Sequence, residues 1–243
     1  MADNYKCVRA SSNKAYPESF KPRDKIQQVY IIDAQFITKN PTCTCTGEAE
    51  INFEKRKVTY KGYTVNGKPA IMGSSIKGAL NAYALMLSSP EKVGDLFGFS
   101  ELEGRVYFKD SIVNTAYKEL KLGRQWRPRR PCRGIRVYTP KSPSPTPEEI
   151  YFQAIPPNIP FSAEIVLING DNDDLKLLIA SMGATAYGIK LGRGKDRGYG
   201  IIKLNKVEVT DMNGNKLNAE QVIKEAKELI TQRWNNVSPA FFT

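Results

Sequence analysis

The sequence predicts an α+β fold, and three observations carry that prediction. Strand-like segments rich in β-branched and aromatic residues lie at Gln28–Thr38, Gly104–Val113, Phe161–Ile168 and Ile201–Val209, and the second of them alternates. Between these segments, apolar residues recur at helical spacing: Ile76, Leu80, Tyr83, Ala84 and Leu87, then Leu175, Leu178, Ile179 and Met182. With the irregular stretches set aside, the order is strand, helix, strand, strand, helix, strand. That is the ferredoxin-like (RRM-like) βαββαβ arrangement.

Each element has its local reason. Residues 1–27 are polar and broken by prolines, which suits an extended N-terminal arm. QVYIIDAQFIT is rich in β-branched and aromatic residues and reads as the first strand. Residues 40–70 are irregular, with a possible hairpin around KVTYKGYTV. Ser74 or Ser75 is placed to cap the first helix, and Pro90 stands just past its end. Residues 115–160 hold nine prolines and many basic residues without sustained periodicity, the mark of a long insertion. Asp171 to Asp174 supply the acidic N-terminus of the second helix. A last helix, Ala219–Trp234, opens after Asn218, with Gln221 set for a capping-box contact and Val222, Ala226, Leu229 and Ile230 inward. The expected layout is one domain over 1–243: arm 1–27, core 28–114 and 161–210, insertion 115–160, and C-terminal helix and tail 211–243.

At 243 residues the chain is long enough to bury a large core without metal or disulfide staples. Lysine plus arginine number 36 against 25 acidic residues, a net charge of +11 that favours phosphate-bearing partners, nucleic acid above all. Histidine is absent, which excludes Ser-His-Asp, Cys-His and two-histidine mechanisms and most catalytic zinc sites. Cys7, Cys43, Cys45 and Cys132 make no zinc pattern, and Cys43 and Cys45 read as buried thiols in a reducing compartment rather than a redox pair. The start of the chain is polar and no apolar run reaches membrane-span length, so a soluble cytoplasmic protein without membrane contact is expected.

Two glycine motifs invite phosphate. Gly73-Ser-Ser-Ile-Lys-Gly78 has the glycine spacing of a P-loop, but Ala79 and Leu80 stand where lysine and hydroxyl should follow, so ATP hydrolysis is not expected. Gly192-Arg-Gly-Lys-Asp-Arg-Gly198 follows a helix and opens a strand, the reverse of a dinucleotide fingerprint. It reads instead as a basic loop offering Arg193, Lys195 and Arg197. In a split βαβ fold, the first helix start and this late loop can be neighbours. Ser74, Ser75 and Lys77 would then grip a phosphodiester chain alongside the loop.

IMGSSIKGAL, LFG with GRVYFKDS, and GRGKDRGYG together resemble, in order, the motifs of the RAMP superfamily, RNA-binding proteins of CRISPR systems. The resemblance spans about Val29 to Val209 and departs at Met72, where the family has proline, and at Asn81, where arginine is common. The GSSIKG block is similar to that of backbone subunits of type III (Csm- or Cmr-like) effector complexes. The resemblance implies an antiviral-defence role in which the chain holds crRNA and paired target RNA. It implies related RAMP subunits, a large polymerase/nuclease subunit and small helical subunits as partners. It also implies that the insertion is a thumb-like element, where Arg124, Trp126, Arg127, Arg129, Arg130, Arg133 and Arg136 suit phosphate contact and base stacking. Family members that cut target RNA use an aspartate and a divalent ion such as Mg²⁺. Here the corresponding turn offers Glu48 and Glu50, Glu50 matching the spacing better, while Asp33 lies too early. Endoribonuclease activity is thus an open expectation beside a binding role, no tightly bound cofactor being expected. The alternatives are a non-cutting capping paralogue and a stand-alone guide-processing endoribonuclease.

Overall fold

The first long strand forms where the sequence predicts. In β1, Val29–Thr38, Ile32, Ala34, Phe36 and Thr38 are buried while Ile31, Asp33 and Gln35 face outward. The computed structural model describes residues 5–8, 20–99, 101–125, 132, 135–138, 142–184 and 188–234. After β1 come helix α1 (Gly73–Leu87), β2 (Val106–Phe108), β3 (Pro160–Ile168), helix α2 (Asn172–Ser181), β4 (Ile201–Asp211) and helix α3 (Ala219–Trp234). The central sheet runs β4-β1-β3-β2 with antiparallel pairings throughout, and the short strand Ile189–Lys190 extends the β4 edge. This α+β architecture carries the strand order of a split βαβ unit. Helices α1 and α2 lie on the buried face, with Ile76, Leu80, Ala84, Leu175 and Leu178 in one core with Ile32 and Phe36. Ala226 and Ile230 seat α3 on that core, with Val222 and Leu229 packed partly buried beside them.

Several local expectations change. The single strand expected over Gly104–Val113 is divided: β2 pairs with β3, while Ser111–Ile112 turns aside to pair with Lys68–Ile71. Between the two pieces, Asp110 leaves the ladder to accept from the Gly73 amide at 2.7 Å and from the Tyr63 hydroxyl at 2.6 Å. That contact also replaces the expected serine cap. The residue at the cap of α1 is Met72, which makes no side-chain cap bond. Asp171 does cap α2, in a reciprocal box with Asp174. At α3, Asn218 accepts from the Glu220 and Gln221 amides, but the Gln221 side chain bonds Glu225 rather than the cap.

Residues 40–70 and parts of 115–160 form a second sheet. Its four strands run Lys118–Lys121, Ile150–Ala154, Lys57–Gly62, Cys45–Asn52, the middle pair parallel. Leu122, Phe152 and Ala154 meet Cys43 and Tyr199 in a small core of their own. In the arm, Tyr5–Val8 pairs with Ile135–Tyr138. The cysteines are not free thiols: Cys43 is joined to Cys45, and Cys7 to Cys132. Two residues apart in extended chain, Cys43 and Cys45 share a face, and their Cα atoms are 5.4 Å apart, inside bridging range. No described helix is long and apolar enough to cross a membrane.

A buried arginine ties these pieces together. Arg105, 1 % exposed, donates to Asp95 at 2.7 Å, to Asp174 at 3.0 Å, and to the carbonyls of Ile168 and Asn169. It thereby joins the short helix Pro90–Phe97, the N-terminus of α2 and the end of β3. Lys21 and Arg23 of the arm bond the same carboxylates from outside. Burial works against the charge on Lys21, but hydrogen bonds to Asp171 and Asp174 outweigh it and raise its pKa.

Asp174→Ala leaves Arg105 buried with a lost partner and removes half of the capping box, so it should cost about 3–5 kcal/mol. Asp171→Ala, at an exposed cap, should cost about 1 kcal/mol. Urea unfolding of the two variants checks the ranking; equal losses would mean that the arginine is well satisfied without Asp174.

Candidate nucleic-acid interface

The start of α1 and the late glycine-rich loop are held by one segment, Asn40–Thr44. The Thr44 hydroxyl accepts from the Met72 amide at 3.2 Å, just ahead of α1. One residue earlier, the Cys43 carbonyl accepts from the Arg193 amide at 2.8 Å. Gly192 has φ +78°, and a Cβ there would come within 2.1 Å of the same carbonyl, so the loop's approach depends on glycine at that position. The Pro41 carbonyl takes the Gly200 amide, and the Asn40 side chain bonds Gly198 and Ile201. The two motifs, more than a hundred residues apart in sequence, therefore border one edge of the molecule.

On that edge Ser74 is exposed and Ser75 and Lys77 are half-exposed, one turn from Gly78, whose Cα faces open space. Arg193 lays its guanidinium over the Tyr60 ring, 3.3 Å from the centroid. Lys195 turns toward α1 and lines a cavity with Arg136. Arg197 does not join the edge: it donates to the Gly123 carbonyl at 2.9 Å and braces the loop from within. Arg124 is exposed, its amide bonded to Ser144. Trp126, Arg127, Arg129, Arg130 and Arg133 lie outside the described residues.

Glu48 and Glu50 lie on the exposed strand Cys45–Asn52, and Glu50 is paired with Lys61 across the hairpin. The Lys61 hydrogen bond holds the Glu50 carboxyl below its ordinary value. Glu50 is six residues beyond Thr44 along extended chain, which sets it roughly 20 Å from Thr44 at most. Among the described residues, no three His, Cys, Asp or Glu side chains cluster to hold a metal.

The open face of the central sheet carries carboxylates that are partly paired with lysines. Asp33 stands beside Glu164 on one neighbour and Glu208 on the other. Lys206 and Lys216 hold Glu208 ionised, its pKa pulled down to about 2. Nucleic acid laid across this face, as in an RRM, would meet carboxylates. The basic edge is the better surface for phosphate.

Sequence reasoning missed Lys190 and Tyr60. Lys190 is 8 % exposed, and burial lowers its pKa to about 8, with Asp196 opposing and Lys195 adding to the effect. Its only signal was a lysine in an apolar run, YGIKLG. Between its folded value and 10.5, the unfolded chain holds more protons at this site, so stability rises with pH across that window. Lys190→Met should flatten the rise in Tm between pH 8 and pH 10. Thermal melts across that range check it, and identical slopes in both proteins would remove the assignment.

The RAMP superfamily model matches residues 36–203 of the chain. Among solved structures, the chain is similar to one in "Cryo-EM structure of the Type III-B Cmr-beta bound to cognate target RNA", at 16 % identity and a TM-score of 0.49. The match covers 75 % of this chain and 61 % of the other, so the chain spans under two thirds of that protein's length. No curated protein matches the chain.

Proposed function

The chain belongs to the RAMP superfamily, and from that premise we propose that it is an RNA-binding backbone subunit of a type III CRISPR effector complex. In this role it holds crRNA, and target RNA paired to it, along the edge formed by the α1 start and the glycine-rich loop. One observation supports the reading: the adjacent residues Cys43 and Thr44 accept from the Arg193 and Met72 amides, which ties the loop that carries Arg193 to the helix start that carries Ser74, Ser75 and Lys77. Positive side chains and exposed backbone suit phosphate contact without base readout, as expected for a subunit that accepts any guide sequence. Related RAMP subunits, a large polymerase/nuclease subunit and small helical subunits are its proposed partners. The described part of the 115–160 segment, with exposed Arg124 and Arg136, is its proposed thumb base.

Reversing Lys77 and Arg193 together to glutamate should weaken binding of single-stranded RNA. It should also lower the salt slope by about 0.7 per lost phosphate contact. Fluorescence anisotropy over a salt series measures both; an unchanged slope places the phosphates elsewhere.

No cleavage step is drawn through Glu48 or Glu50: Glu50 is paired with Lys61, and no group of three metal-ligating side chains lies among the described residues. The double replacement Glu48→Ala with Glu50→Ala should leave the cutting of labelled target RNA unchanged when the assembled complex is given Mg²⁺. Loss of one specific cut would make this chain a nuclease and the carboxylates its catalytic groups.

A further inference from the structure

Between α1 and the glycine-rich loop lies a cavity of about 80 Å³ that the basic edge does not include. Ala79, Ala82 and Met86 of α1 form one wall, the strand Ile135–Tyr138 another, and Lys190 and Lys195 converge on it. Asp196 is near enough to act on both ammonium groups but makes no ion pair with either. Lys190 Nζ reaches only the Tyr199 carbonyl, at 3.5 Å, the limit of a hydrogen bond. Among the described residues no carboxylate forms an ion pair with Lys190 or Lys195. The Tyr83 hydroxyl accepts the Lys190 amide at 3.0 Å, and burial pushes its pKa up to about 12, so it adds no negative charge.

Two desolvated cations side by side are costly to hold without an anion. Burial lowers the pKa of Lys195 as it does that of Lys190, and in both the opposing pull of Asp196 is the smaller effect. An anion entering the cavity would relieve both costs. Apolar walls would strengthen each contact by excluding water. The space is on the scale of a single tetrahedral anion, and Arg136 at its rim supplies a planar fork that suits phosphate oxygens.

We propose that this cavity binds one phosphate group, with Lys190 and Lys195 as its inner cations and Arg136 at its rim. The phosphate belongs either to RNA, in which case the inference rests on the proposed RNA-binding role, or to a free mononucleotide or inorganic phosphate. The shared chemistry is a phosphate oxygen on buried ammonium groups. The site is distinct from the Ser74, Lys77 and Arg193 border, facing the later turns of α1.

Titration calorimetry of the full chain with inorganic phosphate, at fixed ionic strength with chloride as reference, tests it. Saturable binding is expected. Lys195→Met should weaken it by about tenfold, the loss of one charge-assisted contact. Ala82→Glu, which sets a carboxylate at the cavity wall from a half-exposed position, should abolish it. Both sites tolerate change without emptying the core, and a retained Tm confirms folding. The Lys77→Glu, Arg193→Glu double variant should bind inorganic phosphate as the parent does. Absence of saturable binding overturns the proposal, as does binding that ignores Lys195→Met and Ala82→Glu, or that vanishes equally in the double variant. Adding single-stranded RNA to the phosphate-loaded protein identifies the source. Displacement supports an RNA phosphate, and simultaneous binding supports a small ligand. If the double variant keeps full RNA affinity while the cavity still binds phosphate, the border reading fails and this one stands.

Discussion

Five residues, Asn40 to Thr44, carry the constraint on which the rest of the structure depends. They leave β1, the centre of the large sheet, and enter the small one, so both sheets are anchored to the same short backbone run. Thr42 exchanges both backbone hydrogen bonds with Ile155 at the end of the small sheet. Pro41, Cys43 and Thr44 then hold the late loop and the α1 start. Nearly every polar group in this run has a named partner, which is what burial of irregular backbone requires. Thr42, Cys43 and Thr44 are at most 2 % exposed. A segment so fully committed cannot shift without moving both phosphate-facing motifs together.

A second constraint acts at the opposite end of β3. Arg105 gathers Asp95, Asp174 and two carbonyls at a place where three elements terminate. Such a buried ionic group is seldom the most stable choice; its usual gain is in specifying one arrangement over others. Here it dictates where the short helix and α2 meet, and Lys21 and Arg23 extend the same carboxylates outward to the arm. Asn169, with φ +50°, adds amide contacts to Pro22, Lys25, Gln27 and Gln28. The end of the arm is thus pinned largely by polar contacts, which leave no hydrophobic periodicity in its sequence.

The central sheet and its helices were legible because each buries one face, and burial on one face writes period 2 or period 3.6 into the sequence. The small sheet was not. Its outward positions hold Lys57, Thr59 and Lys61 opposite Glu50, with Glu119 and Tyr151 beyond, and its inward side is short. Its strands come from segments about a hundred residues apart, so no local window shows the pairing of Ile150–Ala154 with Lys57–Gly62. The cap of α1 was misplaced for a related reason: the group that satisfies the Gly73 amide, Asp110, is distant in sequence. At the site, the glycines and exposed cations were readable as types. The inward turn of Lys195 and Arg197 was not, since an arginine that braces a carbonyl has the same letter as one that meets a ligand.

Charge placement gives the fold its direction. A net charge of +11 distributed evenly would attract nucleic acid to any surface. The chain instead sets Asp33, Glu164 and Glu208 on the open sheet face, and pairs lysines with glutamates across the small sheet. Those pairs are exposed and contribute little to stability. Their effect is on the field: they cancel positive charge where a phosphate chain should not lie. Near the start of α1 and the glycine-rich loop, Lys77, Arg193, Lys190 and Lys195 form no ion pair among the described residues.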